Sequence, residues 1–579
     1  MTVCALGFVF AAQALTIPQG VLYYDNSRTN YSQIYFVYGS NQRPETYALR
    51  MTHDGNKWRV EIGETVADMY RYTFVGGALR EGLYQQDFGS FKDSVSHQLG
   101  LNRTATTDEQ MRAGEIFVPS SGDNWAQGEW MSLAEWEADQ IGTGTITGTL
   151  PVVYVETENR RAITDTETQI PATVYIDSML PEYRSLGSAA VPIAATIKGR
   201  GNWTWRGFDK KPYKLKFDTK QKVLGMPNNR HWCLMACADD YLGFLKMPAG
   251  FRISEAVGLR WTPRMCPVEL VLNGKYMGLY FLTEHVRIAA NRVNIVEQED
   301  RETDSQALTG GWLVEIDNYP SENNITFTEG NGQRIMVSLK EPETLSSAQR
   351  TYIENQLYTL NDALYDAGSN LPDLLDMQEA ARYYLVQEIM EDCESYHGSC
   401  FLYKDRDSLG VADKWKFGPV WDFGNAYGRH QEQWIYENPS FEQYWIGQLA
   451  TWPAFQQAVG EQWWLYYHRE KDQVRSDIEA FAAHIRRAAK SDAKVWNGTQ
   501  GFCDNSDMSS RLSDFLWRYD WRIRWLYSQW GEGIKPDTEA LDACYGNGQG
   551  ASGRMILRGG SLYIERDGRV YTLQGQLVK

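Results

Sequence analysis

Near residue 345 the spacing of apolar residues changes from every second position to every third or fourth. That switch limits the fold more than any other feature of the chain. Upstream, runs such as GVLYYDNSRTNYSQIYFVYGS, KWRVEIG and MYRYTFVGG read as strands closed by Gly, Asp and Asn turns. In PVELVLNGKYMGLYFLTEHV, Asn273-Gly274 is a two-residue hairpin signal between two more strands. Downstream, SSAQRTYIENQLYTLNDALY and MQEAARYYLVQEIME have helical spacing, with Met377, Ala381, Tyr384, Leu385 and Glu388 along one side of the second helix. Trp-rich helical runs fill residues 440–530, and the tail from Ala551 returns to strands around an Asp567-Gly568 turn. Strands gathered in one region and helices in another specify an α+β fold.

A chain of 579 residues exceeds one ordinary core. The Gly/Thr-rich stretch from Thr143 to Thr149 reads as a linker. The expected organisation is therefore a small all-β sandwich over 18–145 and a larger unit over 146–535. The larger unit is β-rich to about 340 and helical from about 341, and a β-type tail covers 551–579. Val3 to Ala12 is apolar and leads into Ala12-Gln13-Ala14, a small-x-small pattern, so 1–17 reads as the remnant of a signal peptide and the protein as exported. No internal run approaches the roughly 20 apolar residues of a transmembrane helix. With 57 basic and 74 acidic side chains the formal charge is −17, which excludes a nucleic-acid binder because no basic field displaces counterions. Of the eight cysteines, Cys233 and Cys237 lie in the apolar stretch WCLMACA and read as buried thiols rather than a metal pair.

Three stretches carry candidate chemistry. In WKFGPVWDFGNAYG, Asp422 leaves an apolar run and is followed by Phe423 and Gly424, an arrangement suited to a divalent metal beside phosphates. In IKGRGNWTWRGFDKKPYKLKF a glycine turn precedes a strand on which Lys214 and Lys216 share a face. Backbone N–H groups, an arginine and an ammonium there can neutralise phosphate. In GGWLVEIDNY, Glu315 and Asp317 share one strand face; paired carboxylates also serve glycoside hydrolysis, but residues two apart on a strand more often form a structural pair.

The order of these parts, strands with a glycine turn and lysines, then helices, then D-F-G, resembles a protein-kinase-like layout. More specifically, residues from about 148 to 430 resemble the CotH kinase family. The resemblance is carried by IKGRGNWTW, KKPYKLKF, LGMPNNRHWCLMA, PVELVLNGKYMGLYFLTEHVR, RVNIVEQED, GGWLVEID, YYLVQEIMEDCESYHGSCFLYKD and FGPVWDFGNAYG. It implies ATP with magnesium or manganese, Arg200, Gly201 and Asn202 near the phosphates, and Lys211 or Lys214 as the nucleotide lysine. It also implies Glu284 as the carboxylate that orients that lysine and Asp422 as a metal ligand. The catalytic loop departs from the family pattern. Glu394 stands at the family's Asp position and Ser399 at its metal-holding Asn, with Asp392 the alternative base if the register slips by two.

Two readings follow. One is phosphoryl transfer to Ser or Thr of a protein substrate, with Glu394 or Asp392 accepting the hydroxyl proton. The other is a catalytically inactive kinase-like protein of the surface or periplasm that binds glycan or a protein partner. YYDNSRTNYSQIYFVYG also resembles starch-binding modules, with Tyr31 where that family has Trp, which implies a sugar platform. The C-terminal LYIERDGRVYTLQGQLVK is similar to tails on exported proteins of Bacteroidetes-like bacteria.

Overall fold

The structure, a computed structural model, describes residues 15–25, 31–40, 43–54, 57–69, 71–95, 111–119, 128–136 and 144–536, apart from 182, 318, 320–322, 331, 409, 429–431 and 439–442; four strands between 553 and 578 are also described. The chain divides into two compact units, Met1–Thr143 and Gly144–Lys579. Both helices and strands are abundant, and the fold is α+β.

In the first unit, two antiparallel-rich sheets of five and four strands face each other. Tyr24, Phe36, Tyr72, Phe74 and Phe117 fill the space between them. The strand Ile34–Gly39 alternates: Phe36 and Tyr38 enter that core, while Tyr35 and Val37 pack under the helix Phe88–Val95 on the opposite face. The aromatics quoted for the sugar-platform resemblance are thus largely core, and Tyr31 packs partly buried against the same cluster. Residues 1–14 of the expected signal segment lie outside the described residues, and Leu15–Ile17 pairs with Val66–Met69.

The second unit opens with a closed barrel of seven strands, β1 (Val152–Thr157), β2 (Ile170–Asp177), β3 (Ile193–Gly199), β4 (Tyr213–Val223), β5 (Met226–Met235), β6 (Met265–Leu272) and β7 (Lys275–Glu284). Their order is β1-β2-β3-β4-β5-β7-β6, and a parallel pairing of β6 with β1 closes the ring. Alternate residues of every strand, including Val155, Val174, Ile197, Leu215, Trp232, Val268 and Leu282, form one interior cluster. Asn273 and Gly274 take φ of 52° and 76°, the left-handed pair a two-residue hairpin between β6 and β7 needs. The linker is tied to this barrel: Thr147 N and Oγ1 both donate to Glu269 Oε2 at 2.9 Å.

A second sheet, β8 (Trp312–Ile316), β9 (Asn324–Thr328), β10 (Arg334–Glu341), β11 (Cys400–Lys404) and β12 (Lys416–Phe417), runs in the order β9-β10-β8-β11-β12. The helices are α1 (Lys246–Ala256), α2 (Ser347–Tyr365), α3 (Met377–Ile389), α4 (Pro453–Leu465), α5 (Lys471–Trp496) and α6 (Met508–Trp530). Ser346 and Gln349 close a reciprocal capping box at the start of α2. Ala381, Tyr384, Leu385 and Glu388 of α3 are all buried. Sheet, helices and the outward residues Cys233, Leu279 and Phe281 of the barrel share one large core. Among the described residues no helix is long and apolar enough to cross a membrane, and Cys233, Cys237, Cys266, Cys393, Cys400 and Cys503 are free thiols.

Candidate functional site

The outward face of the barrel carries a block of nitrogen chemistry fixed by strand register. Lys198 pairs with Lys214, Lys214 with Cys233, and Cys233 with Thr283. One row along, Lys216 pairs with His231, and His231 and His285 have ring centroids 6.2 Å apart. Paired residues project to the same side of a sheet, so these side chains share one surface. The Lys214 side chain makes no hydrogen bond or ion pair with another described residue; burial above all, then the charges of Lys198, Arg200 and Arg287, holds its ammonium below the usual lysine value against an opposing pull from Cys233. Burial, followed by Arg287 and Lys214, pushes His231 down to about 3, and burial holds His285 well below the usual histidine value. Both imidazoles are therefore neutral at physiological pH, and Nδ1 of each is buried without a hydrogen-bond partner.

The glycine turn leads into this face. Gly201 has φ of 79°, a conformation that favours glycine, and Asn202 is exposed just before the helical turn Trp203–Gly207. The guanidinium of Arg200 lies 5.2 Å from the centroid of Trp421 and donates to Met235 Sδ at 2.9 Å. Of the two candidate lysines, Lys211 is committed elsewhere, donating to the carbonyl of Trp205 at 2.6 Å. Glu284 is not brought to either lysine. It pairs in register with the interior residue Trp232 and so projects away from the face that Thr283 and Lys214 share. Its carboxylate accepts from Arg264 N at 3.0 Å and Arg264 Nη1 at 3.2 Å, with Arg292 Nε 3.9 Å away. Glu315 and Asp317 both pair with Lys340; burial first, then Asp317, raises Glu315 to about 7 against the pull of Lys340.

The acidic side is built from the loop after β5, the start of α1, and the two segments after α3 and β12. Asp240 is structural, since its Oδ1 accepts from Leu242 N at 2.8 Å and its Oδ2 from Lys246 N at 2.9 Å. Its neighbour Asp239 faces Asp422. A Cβ at Gly424 would lie 2.7 Å from Asp239 Oδ2 and 3.4 Å from Asp422 Oδ1, so both carboxylates close on one glycine. Asp422 is exposed and accepts from Gly424 N at 3.1 Å. Burial, then Asp422, raises Asp239 to about 6, with Lys246 opposing. Phe423 is buried against α1, where a Cβ on Gly250 would meet its ring at 2.3 Å. That contact fixes where Asp422 emerges.

Behind Asp422 stands Asp392, 2% exposed, its carboxyl held well above the usual range by burial, then by Glu394 and Asp422. Glu394 is partly exposed and accepts a hydrogen bond from Asn425 Nδ2. Ser399 has φ of 53° and directly precedes β11. Among the described residues, no group of three or more His, Cys, Asp or Glu converges tightly enough to hold a metal by itself.

Asp422, Asp392 and Glu394 are thus brought together, with Arg200 and Lys214 on the neighbouring barrel face. Asp239, Lys246, Trp421, His231 and His285 escaped the sequence reading. The one signal for Asp239 was an acidic doublet directly after a buried strand, in ACADDYLG. Lys246 carried none, because its neighbours come from positions about 180 residues away.

A family model described as CotH kinase protein matches residues 197–521, which include every residue of the cluster above. No curated protein matches the chain. The matched segment is more than half of the 579 residues, and the chain belongs to the CotH kinase protein family.

Proposed function

We propose that this member of the CotH kinase protein family binds ATP with one face on Arg200 and Lys214 and the other on Asp239 and Asp422, and transfers its terminal phosphoryl group to a hydroxyl of a protein substrate. The observation that carries the reading is the pairing of Asp239 and Asp422 about Gly424, with the Arg200 guanidinium held against the adjoining Trp421. Hard carboxylate oxygens suit magnesium or manganese, which is commonly held by one or two carboxylates together with substrate phosphates and water. When bound, such an ion neutralises triphosphate charge.

The remaining work falls to this chain's own groups. Lys214 offers an ammonium that no carboxylate claims, and Arg200 presents a guanidinium fixed against Trp421. In the transfer, the acceptor oxygen forms a bond to the γ phosphorus, the bond from that phosphorus to the ADP oxygen breaks, and the hydroxyl proton passes to a carboxylate. Glu394 is the better base of the two candidates, since it is partly exposed and oriented by Asn425, whereas Asp392 is buried and favours its proton.

A second reading, nucleotide binding without transfer, is favoured by Ser399, a neutral oxygen where the family resemblance implies a metal-holding Asn. Thermal shift separates the two. The wild type should gain stability with ATP and Mn²⁺, and Asp422→Ala should lose that gain. No shift in the wild type sinks nucleotide binding. A shift without transfer of labelled phosphate favours the second reading. Export belongs to either reading as its setting, and glycan binding to the second. A parallel titration with maltooligosaccharides, expected to stabilise the first unit, tests the latter.

A further inference from the structure

We propose that the ammonium of Lys246 takes the place of a second cation, so that the pocket holds one divalent ion with its nucleotide and not two. The inference rests on the nucleotide reading above and sharpens it. Lys246 is 2% exposed, although a lysine is rarely buried without a carboxylate to answer. Its Nζ donates to the carbonyl of Gly424 at 2.8 Å and stands 4.0 Å from the centroid of Tyr241. Gly424 is the residue on which Asp239 and Asp422 close. The ammonium is therefore bonded to the backbone between the two candidate ligands, not to a distant surface.

The arrangement is rigid. Lys246 opens α1, its backbone N–H is fixed by Asp240, and Asn505 grips the same loop through Asp240 O at 2.7 Å and Gly243 N at 3.0 Å. Tyr241 is anchored through its hydroxyl to the carbonyl of Tyr427 at 2.7 Å. The same charge opposes the mutual repulsion of the acids: it counters the upward push on Asp239 and on Asp392 alike. A divalent ion placed near Gly424 O would meet a fixed positive charge at close range. The sequence thus replaces a diffusible cation with a covalently attached one.

Equilibrium dialysis against Mn²⁺ with an excess of a non-hydrolysable ATP analogue counts the ions. The wild type should retain one Mn²⁺ per chain, and Lys246→Met should retain two. Two in the wild type overturns the proposal, as does a folded Lys246→Met that still retains one. Should circular dichroism report that Lys246→Met does not fold, the wild-type count decides, supported by Lys246→Arg, which keeps the charge and should retain one. A wild-type count of zero is a different failure: it removes the nucleotide–metal reading itself.

Discussion

In the proposed mechanism Glu394 and Lys214 divide the labour at the scale of single side chains. Glu394 serves there as the base and not as a nucleotide ligand, so Glu394→Gln should leave the nucleotide-induced thermal shift intact. It should lower phosphate transfer by about a hundredfold or more, the usual loss when a positioned base is removed. A radiolabel assay beside the melt reads both. Glu341 is a probe of a different kind. It is 8% exposed, and burial first, with Glu297 adding and Arg287 opposing, raises it to about 7. A carboxyl whose folded pKa lies above its unfolded value near 4.5 contributes stability that is complete below that unfolded value and disappears as pH rises through the folded one. The melting temperature of the metal-free protein should therefore fall between pH 5 and 8, with Glu315 adding to the slope. Glu341→Gln, which cannot ionise, should flatten that fall. An unchanged slope removes Glu341 as its source. Asp422, Glu394 and Lys214 could be proposed at this scale because each sits in a motif with its neighbours. Asp239 and Lys246 could not, because they come together with Gly424 only once β5, α1 and the segment after β12 meet.

Elements carry these residues to one another through buried contacts rather than through their own propensity. The end of α3, which leads into the segment carrying Asp392 and Glu394, is tied to α6 by Arg522, whose Nε donates to Glu388 O at 2.7 Å while its guanidinium pairs with the Glu388 carboxylate. Both side chains are at most 1% exposed. Removing one partner of such a pair leaves an uncompensated buried charge and costs about 3–5 kcal/mol. Arg522→Met should lower unfolding stability by that amount in chemical denaturation; a loss below about 1 kcal/mol contradicts the structural weight given to the pair. The helices and hairpins were readable from local spacing: α2 and α3 from their apolar period, the β6–β7 turn from Asn273-Gly274. The closed barrel was not. Its closure depends on β6 lying parallel to β1, Val153 opposite Leu270, and no local pattern connects strands so far apart in sequence.

Across the whole molecule, a chain of net charge −17 gathers Lys198, Arg200, Lys214 and Lys216 on one barrel face and places Asp239, Asp392 and Asp422 on the elements beside it. Segregation of charge in an otherwise acidic protein is what a polyanionic ligand with its own cation requires. All of these residues lie in the second unit and within the matched family segment. The α+β class was legible from the change of period near residue 345, and the family from motifs spread between 197 and 428. The pairing of Asp239 with Asp422 had to wait for the fold. It is also where the account is most exposed. Isothermal titration of ATP in Mn²⁺ at pH 7.5, where an Asp239 carboxyl held near 6 is ionised, should give a saturable site in the wild type and at least about tenfold weaker binding in Asp239→Asn, a loss of about 1.4 kcal/mol. Equal affinity in a folded Asp239→Asn would mean that the two carboxylates closing on Gly424 are not a metal site.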